Sequence, residues 1–251
     1  MHVANSQSFK LNARAALGDA GLQKALANSR PQFMARRSAA IAALPEFERL
    51  RNIGRDIKND TLANLDFYVE AFAEKVEAAG GHVHWCATAQ DARETVLRIC
   101  HEAGAKTVTK GKSMISEEIG LNDHLEANGV TPIETDLGEY IIQLRHELPS
   151  HLIAPAFHLN REDWEKQFRL SHTDLDPNRV FHERRDILTE ARKKLREKFL
   201  AADVGVTGAN FLIAETGSSV IVTNEGNGDL TQTLPRVHIA LASIEKVVPT
   251  L

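Results

Sequence analysis

The sequence predicts an α/β protein: a mostly parallel sheet flanked by helices, with a helical extension at its amino end. Three observations carry that expectation. From His82 onward, strand-like runs alternate with helix-like stretches of the length used in β-α-β units. Gly80-Gly81 closes a long amphipathic stretch, as glycines do just past a helix end. The stretch Ala202–Ala242 then breaks into short β-branched runs separated by Gly- and Asn-rich turns, residues that tolerate positive φ and close backbone approach.

Taken in order, residues 1–58 read as the helical extension and 59–251 as the α/β domain. Phe9, Ala13, Ala16 and Leu17 recur at helical spacing, followed by Leu22 and Leu26 after a Gly-bearing break. Pro31 suits a first helical turn and opens a helix over Gln32–Leu44. A long helix spans Thr61 to Ala79, with Leu62, Leu65, Val69, Phe72 and Val76 as its apolar stripe. Next come a strand at His82–Cys86, a helix at Ala89–Ala103, a strand at Lys106–Lys110 and a helix at Ser116–Asn128. Thr131–Thr135 reads as a strand, Ile141–Leu144 as a short helix or strand, Leu152–Pro155 as a strand and Glu162–Leu170 as a helix. A charged helix, Asn178–Ala201, leads into strands at Val204–Thr207, Val220–Thr223 and Val237–Leu241, with one more ending before Glu215.

Composition narrows the function. Of the 251 residues, 43% are hydrophobic, enough for a substantial core. A formal net charge of −4 provides no basic footprint, which argues against nucleic acid as the main partner. No apolar run approaches the roughly 18 residues of a membrane span, and the first residues lack the plan of a secretory signal. The cytoplasm is the expected compartment. Cys86 and Cys100 are too few for a disulfide framework or a four-thiolate cluster, and both are expected to be buried small hydrophobes. His82 and His84 would share one face of a strand but have no third ligand nearby, so no metal site is expected.

Three stretches could carry chemistry. In Thr109-Lys110-Gly111-Lys112-Ser113 a strand ends, a Gly turns the chain and a helix starts. Lys110, Lys112 and the Ser113 hydroxyl with free backbone N–H groups would cradle an anion; the plain alternative is a well-capped helix. The spacing is not that of a Walker A motif, and no G-x-G-x-x-G is present. In Thr135-Asp136-Leu137-Gly138-Glu139-Tyr140, Asp136 stands at a strand end, either lining a site or capping a helix. In the third stretch Gly208 and Asn210 form a turn, Glu215 stands beside Gly217, and Asn224, Glu225, Gly226 and Asn227 form another turn. Glu215 or Glu225 could act as nucleophile or base if its surroundings tune it, and the asparagines suit carbonyl or hydroxyl groups of a ligand.

The runs ADVGVTGANFLIAETGSSVIVTNEGNGDLTQTLPRVHIAL, VTKGKSMISEEIGLN and ETDLGEYIIQL closely resemble the lactate utilization protein B family, and the likeness spans nearly the whole chain. The resemblance implies a LUD domain with the α/β fold shared by sugar-phosphate isomerases and coenzyme A transferases. It implies a subunit of a complex that oxidises L-lactate to pyruvate and passes the electrons on, with the other subunits as partners. Family members continue beyond the point matching Val247–Leu251 into a ferredoxin-like half whose cysteine runs hold 4Fe–4S clusters. The chain in hand is therefore expected to hold the first domain alone, to carry no cofactor and to be colourless and inactive by itself. The related transferases use a glutamate in a Gly-bearing turn, which Glu215-Thr216-Gly217 and Asn224-Glu225-Gly226 resemble. Three expectations follow: a domain binding a small carboxylate or phosphate or its partner subunits, a docking module without catalysis, or a transferase- or isomerase-like enzyme using Glu215 or Glu225.

Overall fold

A computed structural model of the chain describes residues 6–150 and 154–251. Its first part is helical: α1 (Phe9–Gly18), α2 (Ala20–Ala42), α3 (Phe47–Ala63), α4 (Leu65–Ala78) and α5 (Ala89–Glu102). There follow β1 (Thr107–Gly111), α6 (Met114–Glu118), α7 (Leu121–Ala127), β2 (Thr131–Glu134), α8 (Leu137–Arg145) and α9 (Arg161–Ser171). The chain ends with α10 (Arg184–Ala201), β3 (Val204–Gly208), β4 (Phe211–Ile213), β5 (Ser218–Val220), α11 (Asn227–Thr233), β6 (Val237–Leu241) and β7 (Val247–Val248). Two compact units result, Met1–Pro45 with Asp136–Arg196, and Glu46–Thr135 with Glu197–Leu251. Among the described residues, no helix is long and apolar enough to cross a membrane.

The second unit holds a four-stranded parallel sheet in the order β2-β1-β3-β6, flanked by helices, and a smaller sheet in the order β5-β4-β7. Partners in a parallel ladder point to the same side, so the register sorts the side chains by face. Val108, Lys110, Glu134, Val204, Val206 and Val237 share one face. There the valines meet Val96 and Cys100 of α5 and Leu121 and Leu125 of α7 in a closed apolar core. Thr109, Gly111, Gly205, Thr207 and His238 share the other face. Helix α11 lies directly on it: a Cβ on Gly205 would sit 1.9 Å from the Thr231 carbonyl oxygen.

Several expectations are corrected. The long helix over Thr61–Ala79 is two helices, because the Asn64 amide donates to the Asp60 carbonyl at 3.0 Å and the backbone turns out of the helix there. Helix α2 spans Ala20–Ala42 without a break, so the helix expected to open at Pro31 is continuous with the one before it. His82–Cys86 forms no strand; His82, His84, Trp85 and Cys86 are exposed and pair with no strand among the described residues. The helix expected over Ser116–Asn128 is divided into α6 and α7 by Gly120, whose φ of 65° is left-handed. Of the strand expected at Leu152–Pro155, residues 151–153 lie outside the described residues, and Pro155–His158 form a turn. The strand expected at Val220–Thr223 lies earlier, as β5, and α11 stands where only turns were expected.

Candidate functional site

The carboxyl end of β1 sends two successive residues to opposite faces. On the apolar side, Lys110 is fully buried. Its ammonium donates to Ser116 Oγ at 2.8 Å and pairs with Glu134 at 2.8 Å and with Glu117. Asn122 donates to Glu134 Oε1 at 2.7 Å. Burial by itself would lower the Lys110 pKa, but Glu134 and Glu117 outweigh it and hold the ammonium above its ordinary value. Burial pushes the Glu134 carboxyl up, Lys110 opposes this and the Glu117 charge adds to it. Lys110 is thus committed to two carboxylates, which corrects its place in an anion cradle.

The polar side is different. A Cβ on Gly111 would lie 2.6 Å from Thr135 Oγ1, 3.6 Å from Asn227 Nδ2 and 3.9 Å from Thr231 Oγ1. Thr135 donates to the Lys110 carbonyl at 2.8 Å and lies 3.4 Å from the Thr231 hydroxyl. Thr207 and His238 pair at 2.8 Å between their side chains, and burial lowers the His238 pKa. Asn227 is 5% exposed, and neither Nδ2 nor Oδ1 has a hydrogen-bond partner among the described residues. Lys112 follows with a left-handed φ of 56°, and its ammonium donates to Asn224 Oδ1 at 3.1 Å. Gly208 permits this turn, since a Cβ there would meet the Lys112 carbonyl oxygen at 2.4 Å. Lys112, Gly208, Asn224 and Asn227 therefore converge, as the sequence pattern placed them in separate loops without showing.

Other expected residues serve the backbone or stand elsewhere. Ser113 caps α6, its hydroxyl accepting from Ser116 N–H at 3.3 Å. Asn210 accepts from Val222 N–H at 2.7 Å and pins the β4–β5 hairpin. Gly217 has a φ of 71° and sits against the Lys75–Val76 backbone, where a Cβ would come within 2.7 Å. Gly226, with a φ of 75°, leads into α11. Glu215 is exposed with its N–H donating to the Pro249 carbonyl at 3.0 Å, and Glu225 is exposed in the loop before α11. Asp136 belongs to the other unit and caps α8, accepting from Gly138 N–H at 3.1 Å. The residues that sequence reasoning missed are Glu117, Asn122, Glu134, Thr135 and Thr231. None of them stands out in the sequence; the one related signal is the alternation of threonines with other residues in Thr107–Gly111, which marks the neighbouring strand as polar on one side.

The first unit contains a buried chain that the sequence did not announce. The Tyr140 hydroxyl lies 2.9 Å from His172 Nε2, His172 Nδ1 lies 3.1 Å from Glu190, and Arg179 donates to Glu190 at 2.7 Å. Burial lowers the His172 pKa against the opposing pull of Glu190 and raises that of Tyr140 to about 12, and the imidazole bridges the phenol and the carboxylate. The same unit has a cleft of about 850 Å³ beside α2 and α9. Its Arg145 and Arg161 already pair with Glu147 and Glu162, so its volume exceeds its chemical content.

Iron–sulfur clusters do not fit these residues. Cys100 is buried in the apolar core with its thiol pushed up to about 11, whereas Cys86 is exposed, against the expectation for it. Among the described residues, no group of three or more His, Cys, Asp or Glu side chains is placed to hold a metal ion.

Comparison with known proteins agrees with the resemblance in the motifs. The family model described as LUD domain matches residues 69–251. Lactate utilization protein B of Macrococcus caseolyticus is 42% identical over 251 residues, covering 100% of this chain and 52% of that protein. The uncharacterized electron transport protein YkgF of Escherichia coli is 39% identical over 255 residues, covering 98% and 51%. Lactate utilization protein B of Bacillus subtilis is 39% identical over 250 residues, covering 98% and 50%. The chain thus spans about half the length of the curated relatives it matches. No solved structure matches it. The match over residues 69–251 and the likeness along the whole chain lead to one conclusion: the chain belongs to the LUD-domain family.

Proposed function

We propose that the chain serves lactate utilisation as the LUD-domain part of an electron-transport protein, and that it binds a small carboxylate at the carboxyl edge of its parallel sheet. The names of its relatives support the first half of that reading. The second half is carried by Asn227, a buried amide with both ends unpaired, beside a glycine and next to the Lys112 turn. An unpaired buried polar group costs roughly 1–3 kcal/mol, and a protein retains one where something else completes it. Lys112, held by Asn224 Oδ1 at 3.1 Å, is the cation on this face, and Lys110 belongs to the opposite one. In this reading any iron–sulfur chemistry belongs to the part of the relatives' length that these residues do not cover, and the partners are the other subunits of a lactate-oxidising assembly. Glu215 stands apart from this site, its N–H on the Pro249 carbonyl, whereas Glu225 belongs to the Asn224–Asn227 loop that borders it.

Thermal denaturation with L-lactate, pyruvate and acetate tests this. A carboxylate that binds the folded chain stabilises it by about 2.7 kcal/mol at a hundredfold excess over Kd. The reading expects a rise in Tm that Lys112→Ala largely removes. No rise with any of the three would overturn the ligand half and favour a docking module.

A further inference from the structure

The two edges of the parallel sheet are finished differently. At one edge, β2 is buried at three of its four residues and contains Pro132, which has no N–H to offer. At the other edge, β6 has no fully buried residue, although β1 and β3 inside the sheet are buried almost throughout. Alternate residues of a parallel strand turn their N–H and C=O groups to opposite sides, so part of the β6 backbone points away from β3. Among the described residues, no further strand or backbone group meets it there. Open edges are usually guarded by proline, charge or a bulge. Val237-His238-Ile239-Ala240-Leu241 contains no proline, lysine, arginine or carboxylate, and its register with β3 runs without a bulge.

The same strand is complementary to itself. Antiparallel pairing about a two-fold axis at Ile239 sets it against the partner's Ile239, Val237 against the partner's Leu241, and His238 against the partner's Ala240. Directly opposed residues share a face, so the apolar positions align on the side where Val237, Ile239 and Leu241 already pack on the core. On the other side the imidazole meets the small, exposed Ala240. Helix α11, which touches β6, leaves Leu230 and Leu234 exposed one turn apart. We propose that two copies of this chain join through β6, their four-stranded sheets running antiparallel into one continuous sheet. A second copy is the occupant because the same five residues supply both halves of the contact. The proposal is independent of the ligand reading above.

Sedimentation velocity of the whole chain across the micromolar range tests it. The natural chain should sediment as a dimer that dissociates on dilution. Ala240→Lys places a charge at an exposed edge position, twice over by symmetry, and should weaken the dimer by about tenfold or more. Circular dichroism establishes that this variant folds. A second measurement needs no added charge: Ile239→Cys in a Cys86→Ser background. Residues opposed across the axis have Cα atoms about 4.5–5.5 Å apart, within reach of a disulfide. Mild oxidation should link Ile239→Cys as a dimer, and Ala240→Cys, whose counterpart lies diagonally, far more slowly. A natural chain that stays monomeric throughout, as it would if another partner covers this edge, overturns the proposal. So does a dimer that the folded Ala240→Lys leaves equally tight, or one in which Ile239→Cys does not link.

Discussion

The two faces of the parallel sheet are built from alternate residues of the same strands, yet they are buried against different materials. On one, Val108, Val204 and Val206 meet Leu121 and Leu125, all fully buried. On the other, Thr109, Thr135, Thr207 and Thr231 are almost as deeply buried but are polar. Apolar burial stabilises by roughly 25 cal/mol per Å². A buried hydroxyl or amide stabilises little even when paired, and costs free energy when unpaired, as Thr109 Oγ1 and the Asn227 amide are. Equal burial therefore has unequal purpose: one face holds the fold together, and the other, in our reading, recognises a ligand.

The sharpest way to break that comparison is Lys110, the one cation among the described residues buried in the apolar face. Lys110→Met strands the buried Glu134 carboxylate beside Glu117 and should cost about 3–5 kcal/mol in urea denaturation, most of it recovered by adding Glu134→Gln. A neutral Lys110→Met would show that the pair anchors nothing. Leu125→Ala, on the same face, should cost about 2–5 kcal/mol through its cavity. Thr231→Val, equally buried on the polar face, should change stability by less than about 1 kcal/mol, because its hydroxyl has only a 3.4 Å contact to Thr135. Similar losses for Leu125→Ala and Thr231→Val would erase the distinction between the faces.

The smallest effect is a pH dependence. Burial lowers the folded His238 pKa below its ordinary 6.5, so the unfolded chain takes up the proton first. Stability should therefore be full above about pH 6.5 and decline as the pH falls from there towards the folded pKa. His238→Gln should flatten part of that slope in urea midpoints measured across the window. The remainder is expected from His172, whose folded pKa is also lowered by burial. An unchanged slope would mean that His238 is not buried as described.

The fold was largely legible because it rests on periodicity. The strand over Val237–Leu241 follows its β-branched alternation residue for residue, and the alternation of strands and helices from β1 to β2 follows its glycine and proline punctuation. What escaped was decided by groups distant in sequence. His82–Cys86 alternates like a strand but is exposed and unpaired with any strand among the described residues, and the turn-like NEGNGD becomes the start of α11 because Gly205 lets that helix rest on β3. The site was half legible. Lys112, Asn224 and Asn227 stand in recognisable turns, but the fate of Lys110 depends on Glu134, 24 positions away on β2, which register alone brings alongside. Glu215 was attractive for its place beside a glycine, and that glycine instead serves a close backbone approach to α4.

The most direct test of the division of labour between the faces is a two-dimensional nitrogen–proton NMR titration of the chain with L-lactate. The account predicts that the Asn227 side-chain amide moves, together with the backbone amides of Gly111, Lys112 and Thr231, while those of Cys100, Leu121 and Leu125 on the apolar face stay in place. An Asn227 amide that does not respond, or shifts confined to the apolar face or the other unit, would contradict it.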